Sequence, residues 1–189
     1  MEKWHIYFIM WISWAWKGTL IKNLKKTNLD LHVPLSYKSR AKRDFEQDWV
    51  DAHFISKNDF EQAIMKGKFL EYAIVHELNY YGTKYDDVIK NGIEKWKIVI
   101  KELDILWLMS LRWEMPKLSE NYTTIFLNIP IEKLKERIML RGDNITEEEL
   151  LWRQKSAIME ENKAKELCNY IIDSTQKQED VLKEVLSKN

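Results

Sequence analysis

Residues 8–20 of this chain read FIMWISWAWKGTL. An apolar run leads into a short turn, a lysine follows with a threonine two residues later, and an amphipathic stretch continues the chain. This order is typical of a phosphate-binding loop, in which a buried strand is joined to a helix by backbone N–H groups that surround phosphate oxygens. Such loops use glycine because a side chain would block the approach. The three positions where glycine is expected hold Trp11, Trp14 and Trp16.

The composition suggests a reason for these tryptophans. The chain has 9 Trp and 5 Gly in 189 residues, whereas an average usage of roughly 7% predicts about 13 glycines. Our hypothesis is that a reassigned stop codon, with UGA as the candidate, is written as Trp where the organism inserts Gly. The alternative is that the indoles are real and pack in a core.

Charge and cysteine content exclude several classes of protein. The 30 basic and 30 acidic residues balance, so the net charge favours neither a nucleic acid nor an anionic membrane as partner. A single cysteine, Cys168, excludes an internal disulfide framework. The apolar stretch over residues 6–16 is too short to span a membrane and ends at Lys17. We therefore expect a single-domain, soluble, cytoplasmic protein.

The first half of the chain alternates strand and helix patterns around an irregular segment. Residues 5–10 are typical of a buried strand and residues 19–26 of the helix that follows it. Residues 31–83 form short mixed segments, which indicate an inserted lobe. This lobe contains one helix that begins after Ser56 and ends at Gly67.

The second half continues the alternation. The patterns predict a helix over 84–91 ended by Gly92, strands over 97–103, 123–129 and 170–173, and helices over 131–141, 147–167 and from 178 onward. Thr146 and Glu149 have the spacing of a capping box. The order of elements favours an α/β fold with a parallel sheet. A turn at Asp143 and Asn144 lies between two charged helices and suits a mobile lid.

At this point the chain closely resembles the guanylate kinase family, almost from end to end. The segments that carry the resemblance are WISWAWKGT (11–19), SYKSRAKR (36–43), VDAHFIS (50–56), FLEY (69–72), YYGT (80–83) and ELDILW (102–107). Trp49 and Trp107 also fall where the family has glycine. The resemblance implies a P-loop nucleoside monophosphate kinase fold, with a core of residues 1–33 and 84–189, a GMP-binding lobe over about 34–83 and a short lid over about 137–153.

The resemblance further implies ATP-dependent phosphorylation of GMP to GDP in purine nucleotide metabolism. It places ATP on the loop formed by Trp11, Ile12, Ser13, Trp14, Ala15, Trp16, Lys17, Gly18 and Thr19. Lys17 is the expected catalytic lysine, and Mg²⁺ would arrive with the nucleotide near Gly18 or Thr19. The four histidines are scattered and predict no metal site built by the protein itself.

The lid arginines are the remaining catalytic candidates, namely Arg137, Arg141 and Arg153. Arg137 and Arg141 are four residues apart and share a helix face. The alternative for all three is an ordinary surface ion pair, because Glu132, Glu136, Glu148 and Glu149 are close in sequence.

The acceptor nucleotide is expected in the inserted lobe. The resemblance assigns the GMP phosphate to Arg40, Arg43 and Tyr81, and the guanine base to Ser36, Glu71, Thr83 and Asp104. Guanidinium groups suit a phosphate, and a carboxylate matches the two N–H donors of guanine that adenine lacks. Taken alone, Arg40 and Arg43 have a solvated basic turn as their alternative, which Glu71 and the YYGT segment disfavour.

Three positions depart from the family pattern. Ala52 stands where a tyrosine usually contacts the GMP phosphate, Lys38 replaces a threonine, and Leu106 replaces a glutamine. Our hypothesis is that Lys38 binds the phosphate in place of that tyrosine. An unchanged KM for GMP in Lys38→Ala would count against it.

Two other functions stay open on the sequence alone. A non-catalytic guanylate-kinase-like module would keep the lobe for a protein partner, and literal tryptophans in the loop would favour it. Retention of Lys17, Glu71, Asp104 and the three lid arginines disfavours it. A sister kinase could act on a different monophosphate, although Glu71 predicts GMP.

Overall fold

The computed structural model describes residues 5–12, 17–24, 30–75, 78–105, 108, 121–140 and 146–188. Their strands are β1 (Ile6–Trp11), β2 (Leu31–His32), β3 (Tyr37–Lys38), β4 (His53–Phe54), β5 (Phe69–Val75), β6 (Asn79–Lys84), β7 (Ile98–Glu102), β8 (Tyr122–Asn128) and β9 (Tyr170–Asp173). The helices are α1 (Lys17–Leu24), α2 (Lys57–Met65), α3 (Tyr85–Ile89), α4 (Ile131–Leu140), α5 (Glu147–Leu167) and α6 (Gln178–Leu186), with a 3₁₀ turn at Ile93–Lys95.

The strands form two sheets. The five-stranded sheet has the order β2-β7-β1-β8-β9, and its β2–β7 and β8–β9 pairs are parallel. The four-stranded sheet has the order β4-β3-β6-β5 and contains two antiparallel pairs. The predicted α/β fold with a parallel sheet is therefore confirmed. No helix of the described residues is long and apolar enough to cross a membrane.

Contacts divide the chain into two compact units. The first comprises Met1–Ile6, Leu29–Lys101 and Met109–Asn121, and the second Tyr7–Asn28, Glu102–Leu108 and Tyr122–Asn189. The lobe predicted over about 34–83 lies wholly inside the first unit. In that unit α2 packs on the four-stranded sheet through Phe60, which is fully buried and stacks on Phe69 and Tyr80 at ring centroid distances of 4.2 and 5.2 Å.

The second unit has an apolar core. Its central strand β8 buries Ile125 and Phe126, and α4 buries Leu134 and Ile138. The helix α5 begins with the predicted capping box, in which the Glu149 N–H donates to Thr146 Oγ1 and the Thr146 N–H donates to the Glu149 carboxylate. Local chemistry therefore fixes the start of this helix.

The predicted end of the helix at Gly92 is wrong in its mechanism. α3 ends at Ile89, and Gly92 has φ −109°, outside the left-handed region. Glycine is needed there for space, because a Cβ atom would lie 2.4 Å from a Val99 methyl carbon and 2.5 Å from the Val88 carbonyl oxygen. The left-handed residue that closes this segment is Trp96, at φ 57°.

Two tryptophans occupy a backbone conformation that favours glycine. Among the described residues, the non-glycine residues with positive φ are Trp49 at 65° and Trp96 at 57°. Their side chains are 72% and 65% exposed, so neither fills a core. Both observations support the interpretation that glycine belongs at these positions. Trp152 differs, because it lies inside α5, where glycine would weaken the helix.

We expect Trp96→Gly to raise the free energy of unfolding by about 0.5 to 1 kcal/mol. Relief of the left-handed strain gains about 1 to 2 kcal/mol, and the greater entropy of glycine in the unfolded chain offsets part of it. Trp152→Gly removes another exposed indole and should lower stability by about 0.5 kcal/mol. Urea unfolding of both variants checks the opposite signs, and a destabilised Trp96→Gly would contradict the argument.

Candidate functional site

Three of the predicted acceptor residues and Lys38 share one face of the four-stranded sheet. Side chains directly opposite each other in a sheet point to the same face, as do residues two apart on a strand. The register pairs Lys38 with Tyr81 and Glu71 with Thr83. These four residues therefore lie on one side of the sheet, which we call the site face.

Gly82 allows the two site strands to approach closely. A Cβ atom at Gly82 would lie 2.6 Å from the Glu71 carbonyl oxygen and 2.9 Å from the Tyr72 Cβ. No side chain fits there without moving β5. Gly82 thus holds Tyr81 and Thr83, its two neighbours, at a fixed distance from Glu71.

A charged cluster forms at one end of the site face. The Arg40 guanidinium donates to both carboxylate oxygens of Glu46, each at 2.6 Å, and its Nε donates to Tyr81 Oη at 2.9 Å. The Arg43 backbone N–H donates to the same carboxylate at 2.9 Å. Lys38 Nζ lies 3.4 Å from Glu46 Oε1. Glu46 is thus the centre that orders the cations.

The hydrogen bonds leave specific donors for a ligand. Arg40 uses four of its five N–H donors, since it also donates to the Ala41 carbonyl oxygen. Because Tyr81 Oη accepts from Arg40, its own hydroxyl hydrogen can donate outward. The Arg43 side chain is exposed, and within the described part of the chain its guanidinium has no partner. The remaining Arg40 N–H and the Tyr81 hydroxyl are therefore two neighbouring donors, and Arg43 adds an open guanidinium fork three residues after Arg40.

The ion pair between Arg40 and Glu46 shifts the pKa values of both groups. Hydrogen bonding to Arg40 holds the pKa of the Glu46 carboxyl well below its ordinary value, with further lowering by the Arg43 N–H and by Lys38, against the effect of burial. The same pair raises the pKa of Arg40 above its already high value. Both groups are therefore charged at any physiological pH.

We expect Glu46→Gln to lower stability by about 2 kcal/mol at pH 7, because it removes a charge-assisted pair. The folded pKa of Glu46 lies below its unfolded value of about 4.3, so its stabilisation is complete above that value and is lost as pH falls through the folded pKa. The variant should therefore lose less stability than the wild type below pH 4.3. Unfolding curves from pH 7 to pH 2.5 test this, with the exposed Glu94→Gln as control.

A carboxylate and a hydroxyl meet at the other predicted part of the site. Thr83 Oγ1 donates to Glu71 Oε1 at 2.5 Å, and the two residues are 0% and 6% exposed. A buried carboxylate oriented in this way suits a ligand that presents adjacent N–H donors. Ser36, the residue before β3, accepts a hydrogen bond on Oγ from Lys101 Nζ at 2.9 Å. Asp104 is exposed and belongs to the second unit.

The predicted donor segment is partly described. β1 ends at Trp11, Ile12 is buried, and α1 begins at Lys17, two residues earlier than predicted. A strand and a helix therefore lie on either side of the predicted loop. Ser13, Trp14, Ala15 and Trp16 lie outside the described residues, as do the side chains of Lys17 and Thr19, which flank Gly18 in α1.

The structure describes the three lid arginines to different extents. Arg137 lies in α4 and Arg153 is half-buried in α5, whereas Arg141 and the side chain of Arg137 lie outside the described residues. Glu149, considered as a surface partner for them, uses its carboxylate in the capping box. Within the described ranges, no group of three or more His, Cys, Asp or Glu residues could hold a metal ion.

Two residues of the site were missed from the sequence. Glu46 lies in a polar turn, and the only signal was a carboxylate three residues after Arg43. Lys101 interrupts the otherwise apolar start of β7, Ile98-Val-Ile, and is 1% exposed. A lysine in a run predicted to be a buried strand was the available signal.

Known proteins resemble the chain over most of its length. The guanylate kinase family profile, "Guanylate kinase", matches residues 15–188. The guanylate kinase of Clostridium perfringens strain 13 is 37% identical over 79% of this chain and 67% of that protein. That of Clostridium tetani is 39% identical over 86% and 74%. A crystal structure of guanylate kinase from Anaplasma phagocytophilum, at 21% identity, has a TM-score of 0.71 and covers 97% of this chain and 82% of that one. The profile match and the identities establish that this chain belongs to the guanylate kinase family.

Proposed function

We propose that this chain transfers the γ-phosphoryl group of ATP to GMP, giving ADP and GDP. The observation that carries the proposal is the site face, where a buried carboxylate at Glu71 and a cationic cluster around Arg40 occupy the same side of one small sheet. A nucleoside monophosphate presents a base and a phosphate to such a surface. Membership of the guanylate kinase family agrees with it.

The phosphate of GMP would bind at the cluster. Arg43 offers its open guanidinium, and Tyr81 offers the hydroxyl hydrogen that Arg40 directs outward. Arg40 keeps one N–H and acts mainly by holding Tyr81 in place, since Glu46 occupies both of its terminal nitrogens. Lys38 adds a further positive charge near Tyr81, with Nζ 6.0 Å from the ring centroid, which supports the hypothesis that it substitutes for the tyrosine that the family usually has at position 52.

The base would bind at Glu71, with Thr83, Ser36 and Asp104 as further contacts. Guanine presents N1–H and N2–H side by side, and a carboxylate can accept from both. Adenine presents a lone pair at N1, which a carboxylate repels. A site built on a buried acceptor therefore discriminates strongly between the two bases.

ATP would bind where α1 begins. The backbone N–H groups at the start of a helix and of the loop before it attract phosphate, and Lys17 at the first position of α1 would reach the β- and γ-phosphates. Mg²⁺, held by phosphate oxygens and the Thr19 hydroxyl, would neutralise the charge that spreads in phosphoryl transfer. Arg137, Arg141 and Arg153 would supply the remaining positive charge from a lid over about 137–153.

These assignments place the two nucleotides on different parts of the chain. We propose a GMP-binding lobe over about 34–83 and an ATP-binding core over 1–33 and 84–189. A non-catalytic module is not favoured, because a protein-binding surface requires neither a buried Glu71–Thr83 pair nor a lysine at the start of α1.

The proposal is tested by comparing GMP, AMP and UMP as acceptors of ATP-dependent phosphorylation, with ADP formation as the readout. We expect GMP to be preferred by at least about 10²-fold. Equal rates with AMP or UMP would indicate a sister kinase. Calorimetric binding of GMP without ADP formation, in a chain whose loop carries glycines, would support the non-catalytic module instead.

A further inference from the structure

Lys101 is a buried lysine that the proposed chemistry does not use. It lies in β7 beside Val99 and Ile100, which are fully buried, and is itself 1% exposed. Removing an ammonium group from water is costly unless hydrogen bonds and charges compensate. A hydrophobic side chain would fill the same space at no such cost.

In the Lys101–Ser36 hydrogen bond, lysine is the donor and serine is the acceptor. A lysine ammonium can only donate, so Ser36 Oγ, 2.9 Å from Lys101 Nζ, must accept. The Ser36 backbone is also held, because its carbonyl oxygen accepts the His53 N–H at 2.9 Å. The Ser36 hydroxyl hydrogen is thereby directed away from Lys101, and within the described residues it has no acceptor.

Ser36 immediately precedes β3, a strand of the sheet that carries the buried carboxylate. The register of β3 and β6 pairs Tyr37 with Gly82. We infer from it that Ser36, one residue before Tyr37, faces Thr83, the residue after Gly82, whose hydroxyl donates to Glu71. The site face therefore presents an acceptor, Glu71, next to a hydroxyl that is set as a donor. Guanine carries the complementary edge, with the N1–H and N2–H donors adjacent to the O6 acceptor. Adenine has an amino donor in place of O6.

We propose that Lys101 is a positioning residue for base selection: by donating to Ser36 Oγ, it turns the Ser36 hydroxyl into a donor toward O6 of guanine. This inference rests on the proposed function, because it assigns the base to the face that carries Glu71. Lys101 acts through Ser36 and has no contact with the base of its own.

The test measures nucleotide binding by titration calorimetry, which does not depend on the ATP loop. The full chain is compared with Lys101→Met, Ser36→Ala, the double variant and the control Lys97→Met, whose lysine pairs with Asp30 near the protein surface. We expect Lys101→Met and Ser36→Ala each to weaken GMP binding about 10-fold, and the double variant to be no weaker than either. Lys97→Met should bind GMP as the wild type does.

A second ligand separates positioning from a loss of structure. In 6-thio-GMP a sulfur, which is a poor acceptor, replaces O6 while both N–H donors remain. We expect Lys101→Met to weaken 6-thio-GMP binding less than 2-fold, whereas a distorted site would weaken both ligands equally. If Lys101→Met fails to fold, Ser36→Ala gives the same contrast between the two ligands in an intact core.

The outcomes distinguish the two proposals. A wild-type chain that binds no GMP overturns the proposed function. A wild-type chain that binds GMP, with Lys101→Met binding it equally well or with additive losses in the double variant, overturns the role of Lys101 alone. Equal losses for GMP and 6-thio-GMP in Ser36→Ala also overturn it.

Discussion

Replacing Trp11, Trp14 and Trp16 together by glycine is expected to raise the kinase activity of the chain as written by at least about 10³-fold. Removal of a single preorganised backbone donor from a charge-stabilising site costs about 10²- to 10³-fold in rate, and three indoles obstruct several such donors at once. β1 ends at Trp11 and α1 begins at Lys17, so the residues that would form the donor loop are those between these two elements. The measurement is ADP formation from ATP and GMP.

Alanine at the same three positions is the matched control. It removes the bulk of the indoles but keeps a Cβ at positions where backbone N–H groups must approach phosphate closely. We expect the triple alanine variant to stay at least about 10-fold below the triple glycine variant, because strained positions cost about 1 to 3 kcal/mol each. Equal activity of the two variants would show that space alone limits ATP binding. If the glycine variant showed no gain in activity, the assignment of ATP to this loop would be contradicted.

The native protein answers the same question directly. Peptide mass spectrometry of residues 4–17 from the natural host distinguishes glycine from tryptophan at positions 4, 11, 14 and 16. Glycine masses would mean that the written tryptophans are a translation error. Tryptophan masses would mean that the phosphate loop is blocked in the cell, and the non-catalytic module would then replace the kinase.

The sequence predicted best what is encoded locally. The capping box at Thr146, the N-cap at Ser56 and the strand at Tyr170–Asp173 were all placed correctly, because caps and short apolar runs act within a few residues. The guanylate kinase family and its P-loop kinase fold, inferred from motifs spread along the chain, are confirmed. The bounds of the lobe and lid and the roles of the site residues remain predictions.

Contacts between residues far apart in the chain were not predicted from the sequence. Lys101 and Ser36 are 65 residues apart, and no periodic pattern in either segment predicts that their side chains form a hydrogen bond. Glu46 lies in an irregular turn, where neither strand nor helix spacing indicates that its side chain turns inward. Trp96 was missed as a glycine position because the helix preceding it was expected to end at Gly92. In each case the decisive term was tertiary packing rather than local propensity.

Glu71→Gln is expected to lower kcat/KM for GMP by about 10²- to 10³-fold while leaving the low activity with AMP within 2-fold. The carboxylate can accept from both N1–H and N2–H of guanine, whereas an amide presents one acceptor and one donor, so a donor would face a donor. A buried mismatch of this kind costs several kcal/mol because neither group can reach water. The measurement is steady-state ADP formation with each nucleotide in the variant whose loop carries glycines.

Glu61→Gln provides the matched control in the same unit. Glu61 lies on α2 and accepts a hydrogen bond from Tyr80 Oη at 3.1 Å. The same substitution at Glu61 therefore removes a charge without touching the site face. A loss at Glu71 with none at Glu61 separates base recognition from a general change in charge. If Glu71→Gln kept the preference for GMP, the base would have to be read elsewhere, and the Glu71–Thr83 pair would be reduced to a structural link between β5 and β6.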